Sequence, residues 1–436
     1  MSELLLTRNF GDPTALSLEG YEAKGGYQAL RKALAMEPAA LVEEVKKAGL
    51  RGRGGAGFST GTKWGFLPKE DGLPRYLVVN ADEGEPGTFK DRPLMEQDPH
   101  QLLEGIIIAS FALRVNRAYI YIRGEFRQSL ARMGEAISQA SAKGYLGSHV
   151  LGSAFSLEVS THPGAGAYIC GEETALLESL EGHKGQPRLK PPFPALRGLF
   201  GRPTIINNVE TLCCVPHIVS RGAEAWAALG VEKNGGTKMY CVSGQVAKPG
   251  VFELWHGVTL RSLIEEQAGG PLPGRRVKAV IPGGSSSPVL TADELDVRMD
   301  FDSLMRAGSM LGSAAVIVMD DSTSLVRALH NLTAFYSHES CGQCTPCREG
   351  TAWLHKILTK IVNGQGAIAD LDRMNSICEA MVGKTICVLA DACAFPVQSF
   401  TRKFRPEFEE YIRSGKRWSL TGWREEPPAP LAGGGR

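Results

Sequence analysis

The stretch Gly49-Leu-Arg-Gly-Arg-Gly-Gly-Ala-Gly-Phe58 constrains the fold most, because so many glycines together indicate a loop that approaches a ligand closely. Three of them, Gly52, Gly54 and Gly57, have the G-x-G-x-x-G spacing of dinucleotide-binding loops. That pattern requires a strand before it and a helix after it. Here an amphipathic helix pattern (38–48) precedes the glycines and the best strand pattern (76–79) follows them. The sequence therefore predicts a nucleotide-binding loop that differs from the usual Rossmann turn, with a purely structural turn as the alternative.

Three cations lie in or near this loop, and they suggest a ligand that carries phosphate. They are Arg51, Arg53 and Lys63. Guanidinium and ammonium groups are the usual partners of phosphate in proteins.

Helix and strand patterns alternate after the loop, which argues for an α/β domain with a largely parallel sheet. We expect a helix over 99–113, a strand over 118–122, a helix over 126–142 and a strand over 155–159. Two polar stretches, 80–92 and 164–174, directly follow strand patterns. Open α/β sheets bind ligands beyond the carboxyl ends of their strands, so both stretches are candidate ligand loops. A solvated acidic loop is the alternative for 80–92.

Two further segments have features of a binding site. The proline-rich segment 188–194 predicts an extended arm that holds Phe193 as a fixed aromatic platform. The segment 205–211 is predicted to start a helix, with amide side chains suited to capping or phosphate contact.

A second, smaller domain is predicted downstream. Strand patterns occur at 239–243, 251–254, 277–281 and 314–319, with one helix near 260–268. This α+β domain contains no group of candidate catalytic or metal-binding residues, so we interpret it as a packing or interaction module.

Cys341, Cys344 and Cys347 form a C-x₂-C-x₂-C motif in the helical C-terminal part. The fourth cysteine of a ferredoxin-type run is absent, so another ligand must come from Cys378, Cys387 or Cys393. Cys387 follows a glycine-containing break in the helical pattern (383–386), from which a loop can bring its thiol back to the other three cysteines. Three thiols at this spacing favour an iron–sulfur cluster over zinc.

Composition excludes several classes of protein. A net charge of +1 gives no support for a nucleic-acid partner. No apolar run is long enough for a membrane span, and no secretory signal precedes the first domain. With ten cysteines and no export signal, we expect free or metal-bound thiols and a cytoplasmic location.

The combination of a nucleotide loop and an iron–sulfur site indicates redox chemistry. A nicotinamide delivers two electrons as hydride, whereas an iron–sulfur cluster accepts one at a time. A flavin can mediate between the two, so a flavin is expected although no short motif identifies it.

Six segments in the same order resemble the F-type, NADH-binding flavoprotein subunits of respiratory complex I (NADH:quinone oxidoreductase). They are 49–58, 80–87, 164–176, 190–194, 207–211 and 339–348. The resemblance runs over nearly the whole chain. It implies a multidomain α/β protein with a Rossmann-like FMN- and NADH-binding domain (1–236), a ubiquitin-like β-grasp domain of the soluble-ligand-binding type (237–323), a four-helix bundle (324–426) that carries a [4Fe–4S] cluster, and a disordered tail (427–436).

The resemblance also implies the residues of the site. FMN would contact the glycine-rich loop, the strand ends and the second glycine turn, at Gly52, Arg53, Gly54, Gly55, Lys63, Asn80, Asp82, Gly171 and Glu172. Its phosphate would be held by Asn207, Asn208 and Thr211. NADH would stack its adenine between aromatic rings and place its ribose, amide or phosphate groups near carboxylates: Phe58, Phe66, Phe193, Glu83, Glu85 and Glu173. The cluster ligands would be Cys341, Cys344, Cys347 and Cys387.

Hydride transfer from NADH to FMN needs no catalytic base, and proximity supplies most of its acceleration. We hypothesise that Glu83 and Glu85 tune NADH affinity and flavin potential; the alternative is that they only bind a ribose. The remaining cysteines considered, Cys170, Cys213, Cys214, Cys241, Cys378 and Cys393, are interpreted as structural.

The implied partners are a thioredoxin-like [2Fe–2S] subunit and a large Fe–S subunit leading toward quinone, with membrane association only through them. Two alternatives stay open. The flavin subunit of an NAD-linked formate dehydrogenase or hydrogenase has similar motifs, although those chains often carry an N-terminal thioredoxin-like domain for which the loop at residue 49 leaves no room. A zinc-stabilised protein that binds a nucleotide without catalysis is the other.

Overall fold

Two sheets with different strand orders organise the computed structural model, which describes residues 3–68, 72–418 and 425–426. The first sheet is fully parallel and has the order β3-β2-β1-β4. Its strands are β1 (Tyr76–Ala81), β2 (Arg117–Ile122), β3 (Glu158–Pro163) and β4 (Thr204–Asn208). Parallel neighbours require crossover connections, and helices supply them.

The helices around this sheet are α1 (Leu18–Ala23), α2 (Gln28–Leu34), α3 (Pro38–Lys47), α4 (Thr60–Trp64), α5 (Asp91–Gln97), α6 (Pro99–Leu113), α7 (Arg127–Ala142), α8 (Glu173–Leu180), α9 (Pro194–Arg197), α10 (Val209–Arg221) and α11 (Ala223–Ala227). Nearly every residue of α6 is buried. Its apolar run therefore forms a core helix beside the sheet rather than a surface helix.

The second sheet has the order β6-β5-β9-β7-β8, with β5 parallel to β9 and the other neighbours antiparallel. Its strands are β5 (Thr237–Gly244), β6 (Gly250–Trp255), β7 (Val277–Ile281), β8 (Leu290–Thr291) and β9 (Ala315–Asp320). Two helices accompany it, α12 (Leu260–Ser262, continued by a π-helical segment Leu263–Gln267) and α13 (Phe301–Arg306). A hairpin whose first strand pairs in parallel with the last strand is the β-grasp arrangement, as expected.

The C-terminal part is helical: α14 (Leu325–Glu339), α15 (Thr345–Val362), α16 (Ala369–Met381), α17 (Leu389–Lys403) and α18 (Arg405–Ser414). The first four helices form the expected bundle, and α18 packs against α14 and α17. A short pair, β10 (Arg417–Trp418) and β11 (Glu425–Glu426), follows. One apolar core joins the bundle to the parallel sheet, since it includes Val78, Ile206 and Leu354.

The structure corrects two of the predicted elements. The segment 205–211 does not begin as a helix, because Thr204–Asn208 forms β4 and α10 begins only at Val209. Two adjacent isoleucines favour an extended, buried strand there. The strand expected at 155–159 lies later, at Glu158–Pro163.

The remaining predicted helices and strands are confirmed within a few residues at their ends. The domain boundaries stay predictions, and the tail 427–436 lies outside the described residues. Among the helices that are described, we find none with the length and apolarity that crossing a bilayer requires.

Candidate cofactor sites

The glycine-rich loop lies against the carboxyl ends of β1 and β4. Strand register places Asn80 opposite Asn208 at this edge of the sheet. Gly54 is so close that an added Cβ would lie 3.1 Å from the Cβ of Asn208. The backbone N–H of Arg53 donates to the Oγ1 of Thr211, 2.8 Å away. The structure thus brings together loop residues and strand ends that are more than a hundred positions apart in the sequence.

The side chains of the loop's two arginines are engaged by protein groups, so they give no support to the phosphate contact expected from them. The guanidinium of Arg53 is fully buried and hydrogen bonds to His256 and to the carbonyls of Gly235 and Thr237. The Nη1 of Arg51 donates to both carboxylate oxygens of Asp302. Both side chains therefore tie the loop to the β-grasp domain.

Asn80 and Asp82 lie at the end of β1 beside the second glycine turn. The amide of Asn80 donates to the carbonyl of Gly171 at 2.8 Å. Both carboxylate oxygens of Asp82 are buried and lack a hydrogen-bond partner among the described residues. Burial raises the pKa of Asp82 to about 7. A buried, unpaired carboxyl group is costly, which suits a ligand that brings N–H or O–H donors.

A flavin fits this edge, because its ring and ribityl chain carry such donors. Gly171 keeps the space beside Asp82 open, since an added Cβ would approach the Asp82 carbonyl oxygen to 3.3 Å. Gly54 likewise keeps the space beside Asn208 open, since an added Cβ would lie 3.1 Å from the Asn208 Cβ. The residues present therefore match an FMN cradle in both shape and hydrogen-bonding chemistry.

Asn207 and Asn208 precede α10 and have fixed side chains. The Oδ1 of Asn207 accepts from the indole of Trp64 at 2.8 Å. Asn208 caps the helix by accepting from the N–H of Glu210, and its amide donates to Asp91 at 2.6 Å. A capped helix start of this kind offers positive partial charge to an anion.

Glu172 and Glu173 open α8 and are paired with lysines. One oxygen of Glu172 caps the helix, while Lys190 contacts both carboxylates at 2.9 Å. Lys63 contacts the other oxygen of Glu173, also at 2.9 Å. Burial alone would raise the pKa of Glu173, but the two lysines lower it to about 2. The ammonium group of Lys63 therefore points to Glu173.

Glu83 and Glu85 have different roles, although the sequence grouped them. Glu83 accepts three backbone N–H bonds, from Lys90, Asp91 and Arg92, and so caps the start of α5. This capping role engages the Glu83 carboxylate within the protein, and its expected contact with NADH stays a prediction. Glu85 instead hydrogen bonds to the hydroxyl of Tyr168 and to the backbone N–H of Ser286 (2.8 Å).

The three phenylalanines assigned to adenine stacking are all exposed by half or more of their surface. The rings of Phe58 and Phe66 are 5.8 Å apart and tilted by 44°. Phe193 precedes α9 at the end of the proline arm, and no ring contact joins it to the other two within the described ranges. Exposed aromatic rings provide stacking surfaces for a base.

The four predicted cluster ligands share one corner of the bundle. The N–H of Ile386 donates to the Sγ of Cys344 at 3.4 Å, which joins the Cys387 loop to the C-x₂-C-x₂-C loop. Burial, together with the adjacent Cys341 and Cys344, raises the pKa of Cys347. Burial, together with the nearby Cys347, raises the pKa of Cys387 to about 12. These contacts place the Cys387 loop beside the C-x₂-C-x₂-C loop.

The spacing of these thiols argues against one zinc ion. At about 2.3 Å per Zn–S bond, two sulfurs on one zinc are at most about 4.6 Å apart. Within the described part of the chain, ligand atoms of three residues come within 4.8 Å of one another only at Glu178, Glu181 and His183, where Arg188 already pairs both carboxylates.

All ten cysteines are free, and the six interpreted as structural are buried. They are Cys170, Cys213, Cys214, Cys241, Cys378 and Cys393. Sequence reasoning did not single out four residues that contact the site: Trp64, Tyr168, Lys190 and Ser286. Lys190 and Tyr168 lie inside recognised motifs, and Ser286 follows β7 in the run Gly-Gly-Ser-Ser-Ser (283–287), a third glycine-rich loop after a strand.

Comparisons with known proteins agree with this geometry. Three family profiles match: "Nuo51 FMN-binding domain" over residues 45–217, "SLBB domain" over 238–318 and "NADH-ubiquinone oxidoreductase-F iron-sulfur binding region" over 327–411. An F-type NADH-quinone oxidoreductase subunit of Rhizobium meliloti (strain 1021) is 56% identical, covering 94% of this chain and 98% of that protein. The chain belongs to the family of F-type NADH-quinone oxidoreductase subunits.

Other members of the family are nearly as similar. The F-type subunit of Streptomyces coelicolor is 51% identical over 94% of this chain and 91% of its own length. Among solved structures, an NAD⁺-reducing [NiFe]-hydrogenase in the H₂-reduced state superposes with a TM-score of 0.83 at 38% identity, covering 94% of this chain and 67% of that one. The predicted family, its oxidoreductase class and its cofactors (FMN, NAD(H) and a [4Fe–4S] cluster) are confirmed.

Proposed function

We propose that NADH delivers its electrons at the carboxyl edge of the parallel sheet, and that they leave through the corner of the bundle that holds Cys341, Cys344, Cys347 and Cys387. When bound there, FMN accepts hydride from NADH and the [4Fe–4S] cluster carries single electrons onward. One observation carries the proposal. The N–H of Tyr168, in the second glycine turn, donates to Glu339 at 3.0 Å, and Glu339 ends α14 two residues before Cys341.

A second contact supports the same path. The side chain of Gln186 donates to the carbonyl of Cys341 at 3.2 Å. The segments that flank the proposed flavin edge therefore touch the cysteine loop directly, and short separations favour electron transfer.

On the flavin side, the chain's task is to bind and orient. Gly52, Gly54 and Gly55 present loop backbone, with Arg53 contributing only its main chain. Asn80, Asp82 and Gly171 face the ring and ribityl edge, and Glu172 flanks them. Asn207, Asn208 and Thr211 at the start of α10 hold the phosphate, supported by the polarity of a helix N-terminus.

On the nucleotide side, Phe58, Phe66 and Phe193 provide stacking surfaces for adenine. Lys63 and Glu173 form a charged pair at 2.9 Å, suited to diphosphate and ribose groups. Glu85 takes the remaining carboxylate role near NADH, whereas Glu83 acts as a helix cap. No residue is required to remove a proton in the hydride step, so orientation supplies the acceleration.

The electron exit lies beside Cys387. Val388, its neighbour, has 73% of its surface exposed, and Cys341, Cys344 and Cys387 are each partly exposed. We assign this face to the companion subunits of the complex, namely a thioredoxin-like [2Fe–2S] subunit and a large Fe–S subunit. Through them the chain would be peripheral to the membrane on its cytoplasmic side.

The NAD-linked hydrogenase remains the second candidate assembly, because a solved structure of that kind superposes over most of the chain. The higher identity to F-type subunits of the quinone-linked complex, 56% against 38%, favours that complex.

A glycine substitution tests the flavin placement. Gly54→Val should abolish FMN binding while the protein keeps its iron, because the new side chain would fill the space over Asn208. Gly134→Ala is the matched control, since an added Cβ there meets nothing within 4 Å. FMN released by denaturation and total iron are measured per chain. Full FMN content in the Gly54→Val variant would contradict the proposal.

A further inference from the structure

The loop after β7 reaches out of the β-grasp domain and contacts Glu85. The N–H of Ser286 donates to the Oε1 of Glu85 at 2.8 Å, and the hydroxyl of Ser285 lies 3.2 Å from the same oxygen. The approach depends on Gly284, which has φ +97°, and an added Cβ there would lie 2.8 Å from the Cγ of Glu85. The contact is therefore built into the backbone of the loop.

Ser285 is itself held by a residue of the helical bundle. Its hydroxyl lies 2.7 Å from the hydroxyl of Tyr336, a fully buried residue of α14. Burial, with Glu85 nearby, raises the pKa of Tyr336 well above its usual range, so the phenol keeps its proton. A phenol that donates to Ser285 leaves the serine proton to point at Glu85. Tyr336 then donates to Ser285, and Ser285 donates to the Glu85 carboxylate, which accepts.

The second oxygen of Glu85 has a partner from the opposite side. The hydroxyl of Tyr168 hydrogen bonds to Oε2, and burial next to Glu85 raises the pKa of Tyr168 so that it also stays protonated. The carboxylate is thus fixed between the second glycine turn, the β-grasp loop and, through Ser285, helix α14. Glu85 is the point where three parts of the chain meet.

We infer that Ser285, oriented by Tyr336, is a positioning residue that sets the direction of the Glu85 carboxylate for nucleotide binding. The inference rests on the proposed placement of Glu85 beside NADH. We interpret the β-grasp domain from its sequence as a packing or interaction module. Through Ser285 it would contribute to nucleotide binding, although its own residues do not contact the cofactors. Hydrogen bonds to a charged group are stronger than neutral ones, so one donor is enough to bias the orientation.

A merely structural role for Ser285 is the competing explanation, and other contacts argue against it. The segment after Glu85 has separate anchors on the β-grasp domain: Thr88 bonds to Ser313 at 2.6 Å, and Gly87 packs on Ile317. The backbone bond from Ser286 also survives loss of the Ser285 hydroxyl. Removing that hydroxyl should therefore weaken the hold on Oε1 of Glu85, which then keeps only the Ser286 N–H, and leave the domain interface intact.

The test compares Ser285→Ala, Tyr336→Phe, Glu85→Gln and the double variant Ser285→Ala/Glu85→Gln in the FMN- and cluster-loaded full chain. The readouts are the dissociation constant of NAD⁺, titrated by flavin fluorescence, and the KM and kcat for NADH with ferricyanide. Ser129→Ala is the matched control, because its hydroxyl also donates to a glutamate, Glu96, at 3.1 Å. Tyr240→Phe, whose hydroxyl donates to a backbone carbonyl, controls for Tyr336→Phe.

We expect Ser285→Ala to raise the NAD⁺ dissociation constant and the KM for NADH about three- to tenfold with a smaller change in kcat, and Tyr336→Phe to follow in the same direction. The two controls should stay at the wild-type value. In the Glu85→Gln background, Ser285→Ala should add little, because both changes act on one interaction.

Two results overturn different claims. If Glu85→Gln weakens NAD⁺ binding but neither Ser285→Ala nor Tyr336→Phe does, the inference is wrong and the proposed nucleotide site stands. If Glu85→Gln itself leaves NAD⁺ binding unchanged, the placement of Glu85 in the proposed function is wrong. If Ser285→Ala folds poorly, Tyr336→Phe decides alone, since it removes one hydroxyl and keeps the ring.

Discussion

Asp82→Asn should stabilise the FMN-free protein at high pH and much less at low pH. Both carboxylate oxygens of Asp82 are buried without a partner in the described structure, and burial raises the pKa from 3.8 to about 7. That is a shift of about 3 units, each worth about 1.4 kcal/mol. The ionised carboxylate therefore costs the empty fold about 4 kcal/mol.

The direction of the pH dependence follows from proton binding. Between the unfolded pKa and about 7, the folded protein holds a proton on Asp82 that the unfolded chain has lost. Stability therefore falls as pH rises through this window, and the full cost is present above it. An asparagine has no such titration, so its advantage over aspartate should grow from near zero at about pH 4 to its full size at about pH 8.

The assay is thermal denaturation of FMN-stripped protein across this pH range. We expect the melting temperature of Asp82→Asn to exceed that of the wild type by several degrees at the upper end, with the difference vanishing at the lower end. Loading with FMN should shrink the difference, because the flavin supplies donors to the carboxylate. Asp372→Asn is the control, since Arg405 lowers the pKa of Asp372 and its pH dependence must have the opposite sign. An Asp82→Asn effect that is equal at both pH values would refute the reasoning.

Three further substitutions have expected outcomes. Lys238→Met removes a partner 2.6 Å from the buried Glu210 and should cost about 3 kcal/mol, seen as a lower melting temperature, whereas Lys248→Met on the surface should not. Glu83→Gln should weaken the cap of α5 by about 1 kcal/mol and leave the flavin midpoint potential unchanged; a shifted potential would restore the tuning hypothesis for this residue. Phe66→Ala should raise the KM for NADH about tenfold with little change in kcat, since stacking on a base is worth about 1–3 kcal/mol, and a lower kcat at unchanged KM would argue against stacking. Leu272→Ala, another exposed apolar residue, is its control.

Much of the fold was predictable because local patterns and the final packing agree. Helix α6 has the expected bounds, Pro99–Leu113, since its apolar run and initial proline are local signals. Strand β4 was not recognised because its five residues merge into the following helix pattern. Its identity depends on the pairing with β1, which is distant in sequence.

Motif spacing likewise predicted which residues gather at the site, but not what their side chains contact. Arg53 reaches His256 and Arg51 reaches Asp302, partners more than two hundred positions away. A cation in a glycine-rich loop is equally compatible with a phosphate and with a neighbouring domain. Ser285 and Tyr336 approach Glu85 only through tertiary packing, so no local pattern marks them.

Anaerobic addition of NADH to the FMN- and cluster-loaded chain tests the central claim most directly, with flavin absorbance and the cluster's EPR signal followed together. In the wild type, we expect the flavin to bleach and a reduced-cluster signal to appear. Cys387→Ala should bleach its flavin but lose that signal, whereas Cys378→Ala, which alters a buried cysteine outside the proposed ligand set, should behave as the wild type. An unchanged cluster signal in Cys387→Ala would contradict the proposed electron path.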